Sequence, residues 1–178
     1  MIKYKEFRLG ELFQLKAIRQ AKSQRAIPTD IKGIPYIVQS QSNNMMARRV
    51  QKQYLLDHDE PIISGNKIVL GVTLPAVSYQ PEEFGASQVI TAEADFLNEI
   101  NALFFVTLLS KQMVKFSYTN KPGMTKYKKL ILKVPVDNQG NINLSYIEKY
   151  IAELEQQRLT ELDTYLTIWK NTLEQLKN

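Results

Sequence analysis

Cysteine is absent from the chain, which excludes disulfides, thiolate metal sites and cysteine nucleophiles, and the single histidine, His58, excludes a cage built from several imidazoles. No glycine-rich phosphate loop of the P-loop or dinucleotide type is present, and nothing matches the Asn/Asp-Pro-Pro-aromatic motif that grips a flipped adenine. Long apolar runs are missing as well. Residues 1–15 are interrupted by Lys3, Lys5, Glu6, Arg8 and Glu11, and the longest later stretch, residues 102–109, is too short to span a bilayer. The expectation is a cytoplasmic protein without membrane segments, metal or cofactor, and without catalytic residues of its own.

The acidic residues that could suggest catalysis are better read as structure. Asp57-His58-Asp59-Glu60-Pro61 is a hydrophilic turn before a strand, and its neighbouring side chains point in different directions. Glu82-Glu83, inside Gln-Pro-Glu-Glu-Phe-Gly, has turn composition, and carboxylates one residue apart seldom converge on one site.

What the chain does have is unevenly placed charge. Residues 1–52 carry 11 Lys or Arg against 3 Asp or Glu, a net +8, whereas residues 144–178 carry 4 against 6, a net −2. A second basic stretch contains Lys111, Lys115, Lys121, Lys126, Lys128, Lys129 and Lys133 without an acidic residue, interleaved with Phe116, Tyr118 and Tyr127. Such asymmetry points to a polyanionic partner.

The turn-rich Asn138-Gln139-Gly140-Asn141 divides the chain. Residues 1–140 read as an α+β body, with branched-residue strands near 34–38, 61–64, 67–72, 76–79, 87–91 and 130–136 and one helix over about 98–116. Residues 141–178 read as a single long helix, capped by Asn143 or Ser145 and free of Pro and Gly. Its apolar positions run Leu144, Ile147, Ile151 and Leu154, then Leu159, Leu162, Leu166, Trp169, Leu173 and Leu176, the last six spaced 3-4-3-4-3. The one-residue slip between Leu154 and Leu159 predicts that the first half packs on the body and the second on another helix, as a coiled coil.

Polar segments in the body carry the residue types that touch DNA. These are Lys22 and Arg25, then Gln39, Ser40, Gln41, Asn43 and Asn44 after a strand, then Arg48 and Arg49, and finally Lys121, Thr125 and Lys126. Gln and Asn can pair bidentately with adenine and Arg with guanine, while Lys, Ser and Thr suit phosphates.

Five ordered segments resemble the type I restriction-modification specificity subunits. They are Phe7-Arg8-Leu9-Gly10-Glu11-Leu12-Phe13; Gly33-Ile34-Pro35-Tyr36-Ile37-Val38 with Ser40 and Asn43-Asn44 behind it; Gly65-Asn66-Lys67-Ile68; Tyr79 through Phe84 to Ala86-Ser87; and Leu130 to Pro135 before the long helix. Thr73-Leu74-Pro75-Ala76-Val77 departs from the paired glycines usual there, and the Gln expected near Asn143-Leu144-Ser145 is missing.

The resemblance implies a mixed β-sheet target recognition domain followed by a coiled-coil helix. It implies double-stranded DNA as ligand, an adenine methyltransferase subunit as partner and, where the system has one, a translocating restriction subunit. Full subunits of this family hold two recognition domains and two helices, and this chain has one of each, so it is expected to form a homodimer that reads a bipartite site. The rival reading is a non-catalytic coiled-coil interaction protein without sequence-specific DNA binding.

Overall fold

The computed structural model describes residues 2–19, 24–117 and 119–176. The ten strands among them are β1 (Lys3–Arg8), β2 (Gln14–Ile18), β3 (Thr29–Ile37), β4 (Met46–Val50), β5 (Ile62–Ile63), β6 (Lys67–Gly71), β7 (Val77–Gln80), β8 (Phe84–Ala86), β9 (Val89–Glu93) and β10 (Ile131–Val136). The helices are α1 (Leu9–Leu12), α2 (Lys52–Asp57), α3 (Glu99–Met113), α4 (Met124–Lys128) and α5 (Leu144–Gln175).

The strands divide among three sheets, ordered β2-β9-β6-β7, β4-β3-β8-β5 and β1-β10. Only the β3–β8 pair is parallel. The first sheet is central, because alternate residues of its strands face opposite ways. Ile68, Leu70, Ile90 and Ala92 point into a core shared with α3, where Phe105 and Leu109 meet Leu9 and Phe13. Val69, Val89 and Ile18 point into a second core against Ile37, Phe84 and Ala86 of the neighbouring sheet. The far face of that sheet offers Ile34, Tyr36 and Val50 to Leu55 of α2. The body is therefore layered as helix, sheet, sheet and short helix.

Asn98 caps α3 by accepting from the amides of Ile100 and Asn101, and its own amide donates to Asn101 Oδ1. Asn143 caps α5 by accepting from the amide of Tyr146. Glu148, which sequence spacing places in a capping box with Ser145, instead accepts from Asn98 Nδ2 at 2.7 Å and Asn101 Nδ2 at 3.2 Å, tying the start of α5 to the start of α3.

Ile147 and Ile151 of α5 are buried, and every described residue from Ala152 to Leu176 is exposed. The helix leaves the body where the apolar spacing slips, and continues for about 36 Å at ~1.5 Å per residue. No helix among the described residues is long and apolar enough to cross a membrane.

Candidate nucleic-acid interface

The β3–β4 connection makes an unusual turn. Asn43, Asn44 and Met45 take φ of 49°, 50° and 64° in succession, a left-handed stretch that L-residues adopt only when surrounding bonds hold it. Those bonds are present: Met45 N donates to Ser42 O and Val38 N to Met45 O. Asn43 Nδ2 donates to Met46 O at 2.8 Å, Asn44 Nδ2 to Tyr79 O at 2.9 Å, and Gln80 Nε2 to Asn44 O at 2.8 Å. Met45 is buried beneath the turn. Each of the two asparagines thus commits an amide N–H to the fold.

The glutamines before them reach across to the β6–β7 hairpin. Gln39 Oε1 accepts from the backbone amides of Thr73 and Leu74 at 2.6 and 3.1 Å, and Gln41 Nε2 donates to Pro75 O at 3.0 Å. The hairpin closes through Gly71 N and Ala76 O at 2.9 Å. Glycine is needed at position 71 because a Cβ there would lie 2.1 Å from Leu74 O.

Ser110 and Met113, at the end of α3, border the same shallow cavity as Gln41 and Pro75. The Tyr127 hydroxyl donates to Gly71 O at 2.7 Å from below. The polar β3–β4 turn, the hairpin tip and the lysine-bearing end of α3 therefore meet at one end of the body.

Ser40 shares a hydrogen bond with the Ser42 hydroxyl at 3.0 Å. Lys126 Nζ donates to Asn120 Oδ1 and Lys121 O, each at 2.6 Å, folding residues 120–126 into a closed loop. Lys121 and Thr125 are exposed on that loop, as are Lys111 and Lys115 nearby in sequence.

The arginines are placed differently. Arg48 Nη2 donates to Gln24 O at 2.7 Å, with its guanidinium 5.4 Å from the Tyr36 ring centroid. Arg49 donates to Gly33 O and pairs bidentately with Glu82 at 3.0 and 3.1 Å, while Lys52 pairs with Glu83. The two glutamates are charge partners of the β4 side. Arg25 is exposed on the short turn Gln24–Ala26, and Lys22 lies outside the described residues.

Of the segments singled out by sequence, residues 39–41 meet the β6–β7 hairpin and the end of α3, and sequence reasoning missed the hairpin tip at residues 72–75 and the use of Gln39 and Gln41 as its braces. The polar composition of residues 39–44 gave no sign of the direction in which those side chains turn.

His58 stacks on Tyr54 with ring centroids 3.9 Å apart, and its Nδ1 lies 2.8 Å from Tyr54 O. No group of three or more His, Cys, Asp or Glu that could hold a metal ion occurs among the described residues.

Tyr36 is fully buried below Arg48. Burial, helped by the Glu60 carboxylate and opposed by Arg48, pushes its phenol up to about 12 from 10.0. The neutral phenol is the form the fold favours, so its contribution is complete below pH 10 and is lost as pH rises through about 12. The loss amounts to roughly 2–3 kcal/mol at the alkaline end. Urea midpoints should fall across that window, and more shallowly for Tyr36→Phe, whose missing hydroxyl has no hydrogen-bond partner among the described residues. Equal slopes for the two proteins would refute this assignment.

On α5, Leu159, Leu162, Leu166, Trp169, Leu173 and Leu176 are all exposed, with Tyr165 and Ile168 beside them. Near the body, Leu103 of α3 joins Ile151, Leu154, Leu159 and Leu162 around an apolar groove. An exposed apolar stripe of this length is unusual on the surface of a single chain.

Comparison with known proteins gives a consistent picture. The family model described as type I restriction modification DNA specificity domain matches residues 1–164. Among solved structures, the HsdS subunit from Thermoanaerobacter tengcongensis is 12% identical with a TM-score of 0.58, covering 86% of this chain and 38% of that one. The type I restriction-modification system S subunit from M. genitalium is 15% identical with a TM-score of 0.58, covering 94% and 42%. A chain from work on complex assembly and conformational transition of a type I R-M system is 13% identical with a TM-score of 0.62, covering 97% and 43%. This chain thus spans about two fifths of the solved chains it matches. None of the curated proteins compared with it matches.

Proposed function

The chain belongs to the family of type I restriction modification DNA specificity domains, and from that premise we propose that it recognises a double-stranded DNA sequence on behalf of a partner enzyme and carries out no chemistry itself. Residues 1–140 are the recognition body and residues 141–178 the pairing and spacing helix. The partner is an adenine methyltransferase subunit, joined in systems that have one by a translocating restriction subunit.

The observation that carries this reading is the meeting of polar turns and lysines at one end of a basic body. Arg25, Lys121, Thr125 and Lys126 join Lys111 and Lys115 as candidates for phosphate contacts. The same body carries a helix whose second half has no cover of its own. Two copies related by a two-fold axis would cover each other's helices, and identical domains at the two ends would read an interrupted palindrome.

The seam suits an antiparallel pair. Leu159 then faces Leu176 of a second copy, Leu162 faces Leu173 and Leu166 faces Trp169, so that each apolar layer is filled from both sides. Asp163 and Lys170, on the flank of the seam, come together with opposite charge across the pair.

Titrating DNA affinity against salt tests the reading. About four phosphate contacts give a slope near −3.6 in log affinity against log salt, or about a hundredfold loss between ~50 and ~200 mM. The second reading, a coiled-coil interaction protein, is favoured by the exposed seam alone. It predicts no DNA affinity that responds to salt in this way.

A further inference from the structure

We propose that the base-reading element of the body is the tip of the β6–β7 hairpin, residues 72–75, and that Gln39 and Gln41 are positioning residues that hold this tip. The inference rests on the DNA-recognition function proposed above and refines where in the body the reading is done.

A glutamine that reads adenine must present its amide oxygen and its amide nitrogen together to the base edge. Gln39 has its oxygen committed to two backbone amides, Thr73 N at 2.6 Å and Leu74 N at 3.1 Å, and Gln41 has its nitrogen committed to Pro75 O at 3.0 Å. Gln39 has its acceptor filled, and Gln41 has one of its two amide N–H groups tied down, which fixes the direction of its side chain. What the committed groups accomplish is specific. Three successive residues of one turn are held by two side chains from a connection more than thirty residues earlier.

The held element has the form of a reader. β6 and β7 pair from Lys67↔Gln80 to Leu70↔Val77, and β6 pairs on its other side with β9 as far as Gly71↔Val89, so residues 72–75 are the part of the hairpin that extends past the sheet. The tip leaves Thr73 and Leu74 exposed. A threonine hydroxyl can donate to or accept from a base edge, and an exposed leucine offers the apolar contact that distinguishes the thymine methyl group. Pro75 limits the freedom of the turn, and Tyr127 supports Gly71 from the core side. Ser110 and Met113 place the end of α3 alongside, and that end of the helix carries the exposed Lys111 and Lys115, which are suited to the backbone of a duplex. Order at the tip is set before DNA arrives, which lowers the entropic cost of binding.

The test selects binding sites for the full chain from a randomised duplex library, with thermal melting to verify that each variant is folded. Leu74→Ala should lose its preference for thymine at one position of the selected motif, on the order of 10-fold to 100-fold, and keep the wild-type salt slope. Replacing that thymine by deoxyuridine should weaken the wild-type chain and leave Leu74→Ala unchanged.

Gln39→Glu keeps the acceptor oxygen and should select the wild-type motif, whereas Gln39→Ala should broaden it. The proposal is overturned if Gln39→Glu exchanges adenine for another base at one position, or if Leu74→Ala selects the wild-type motif at full strength. A wild-type chain that selects no motif and shows no salt-dependent affinity would overturn the recognition function itself, a result distinct from either of these.

Discussion

Leu166→Glu is expected to turn a paired protein into a folded monomer. Leu166 is exposed in the single chain, so its replacement removes nothing from the core, and the melting temperature of the body should stay within a degree or two. In the antiparallel pair it faces Trp169 near the centre of the seam, and the two-fold axis makes every change count twice. Two carboxylates would then be drawn into an apolar interface, with Lys170 one turn away on the flank as the nearest cation, at a cost of several kcal/mol each. Pairing should weaken by more than 100-fold. Sedimentation of wild type and variant reads the result directly, and a variant that still sediments as a dimer at micromolar concentration would show that the seam is covered in some other way.

Phe105→Ala should be the most destabilising single change in the body. The side chain is fully buried, with ring centroids 5.2 Å from Phe13 and 5.5 Å from Phe96. It joins α3 to the segment after α1 and to the approach of α3 itself. Removing it leaves a cavity bordered by three other rings, Phe13, Phe96 and Phe104, that cannot close without moving α3, and substitutions of this kind cost about 3–5 kcal/mol. Against a total of about 5–15 kcal/mol for an ordinary domain, that is a large share. Urea unfolding followed by circular dichroism would measure it, and a loss under about 1 kcal/mol would mean that the aromatic cluster rearranges. Because the far end of α3 borders the hairpin tip, DNA affinity should fall with stability.

The sequence revealed α5 because its signal is repeated: the 3-4 spacing, the cap and the absence of Pro and Gly all agree. The strands β3, β6, β7, β9 and β10 were legible from their branched residues. β1 was not, since Lys3, Tyr4, Lys5 and Glu6 are exposed and its pairing partner, β10, lies more than 120 residues away. β4 was hidden by Arg48 and Arg49, which occupy strand positions while their guanidiniums serve Gln24, Gly33 and Glu82. Composition singled out the candidate interface segments because their residue types are those suited to a polar ligand. It could not tell a side chain that faces outward from one that braces a neighbour, because that depends on which distant turn lies within reach. The left-handed turn at Asn43, Asn44 and Met45 shows the same limit. Two asparagines hint at it, but Met45 is held there only by its surroundings.

The bonds at the root of α5 bear on accuracy. With Ile147 and Ile151 packed in the body and Glu148 gripped by Asn98 and Asn101, the helix is a lever whose angle is fixed at one end. A tilt of about 5° at the root would swing a tip ~36 Å away by about 3 Å, close to the ~3.4 Å that separates successive base pairs. If two such helices set the gap between half-sites, as proposed above, one carboxylate shared by two asparagines would help keep that gap from drifting by a whole nucleotide step.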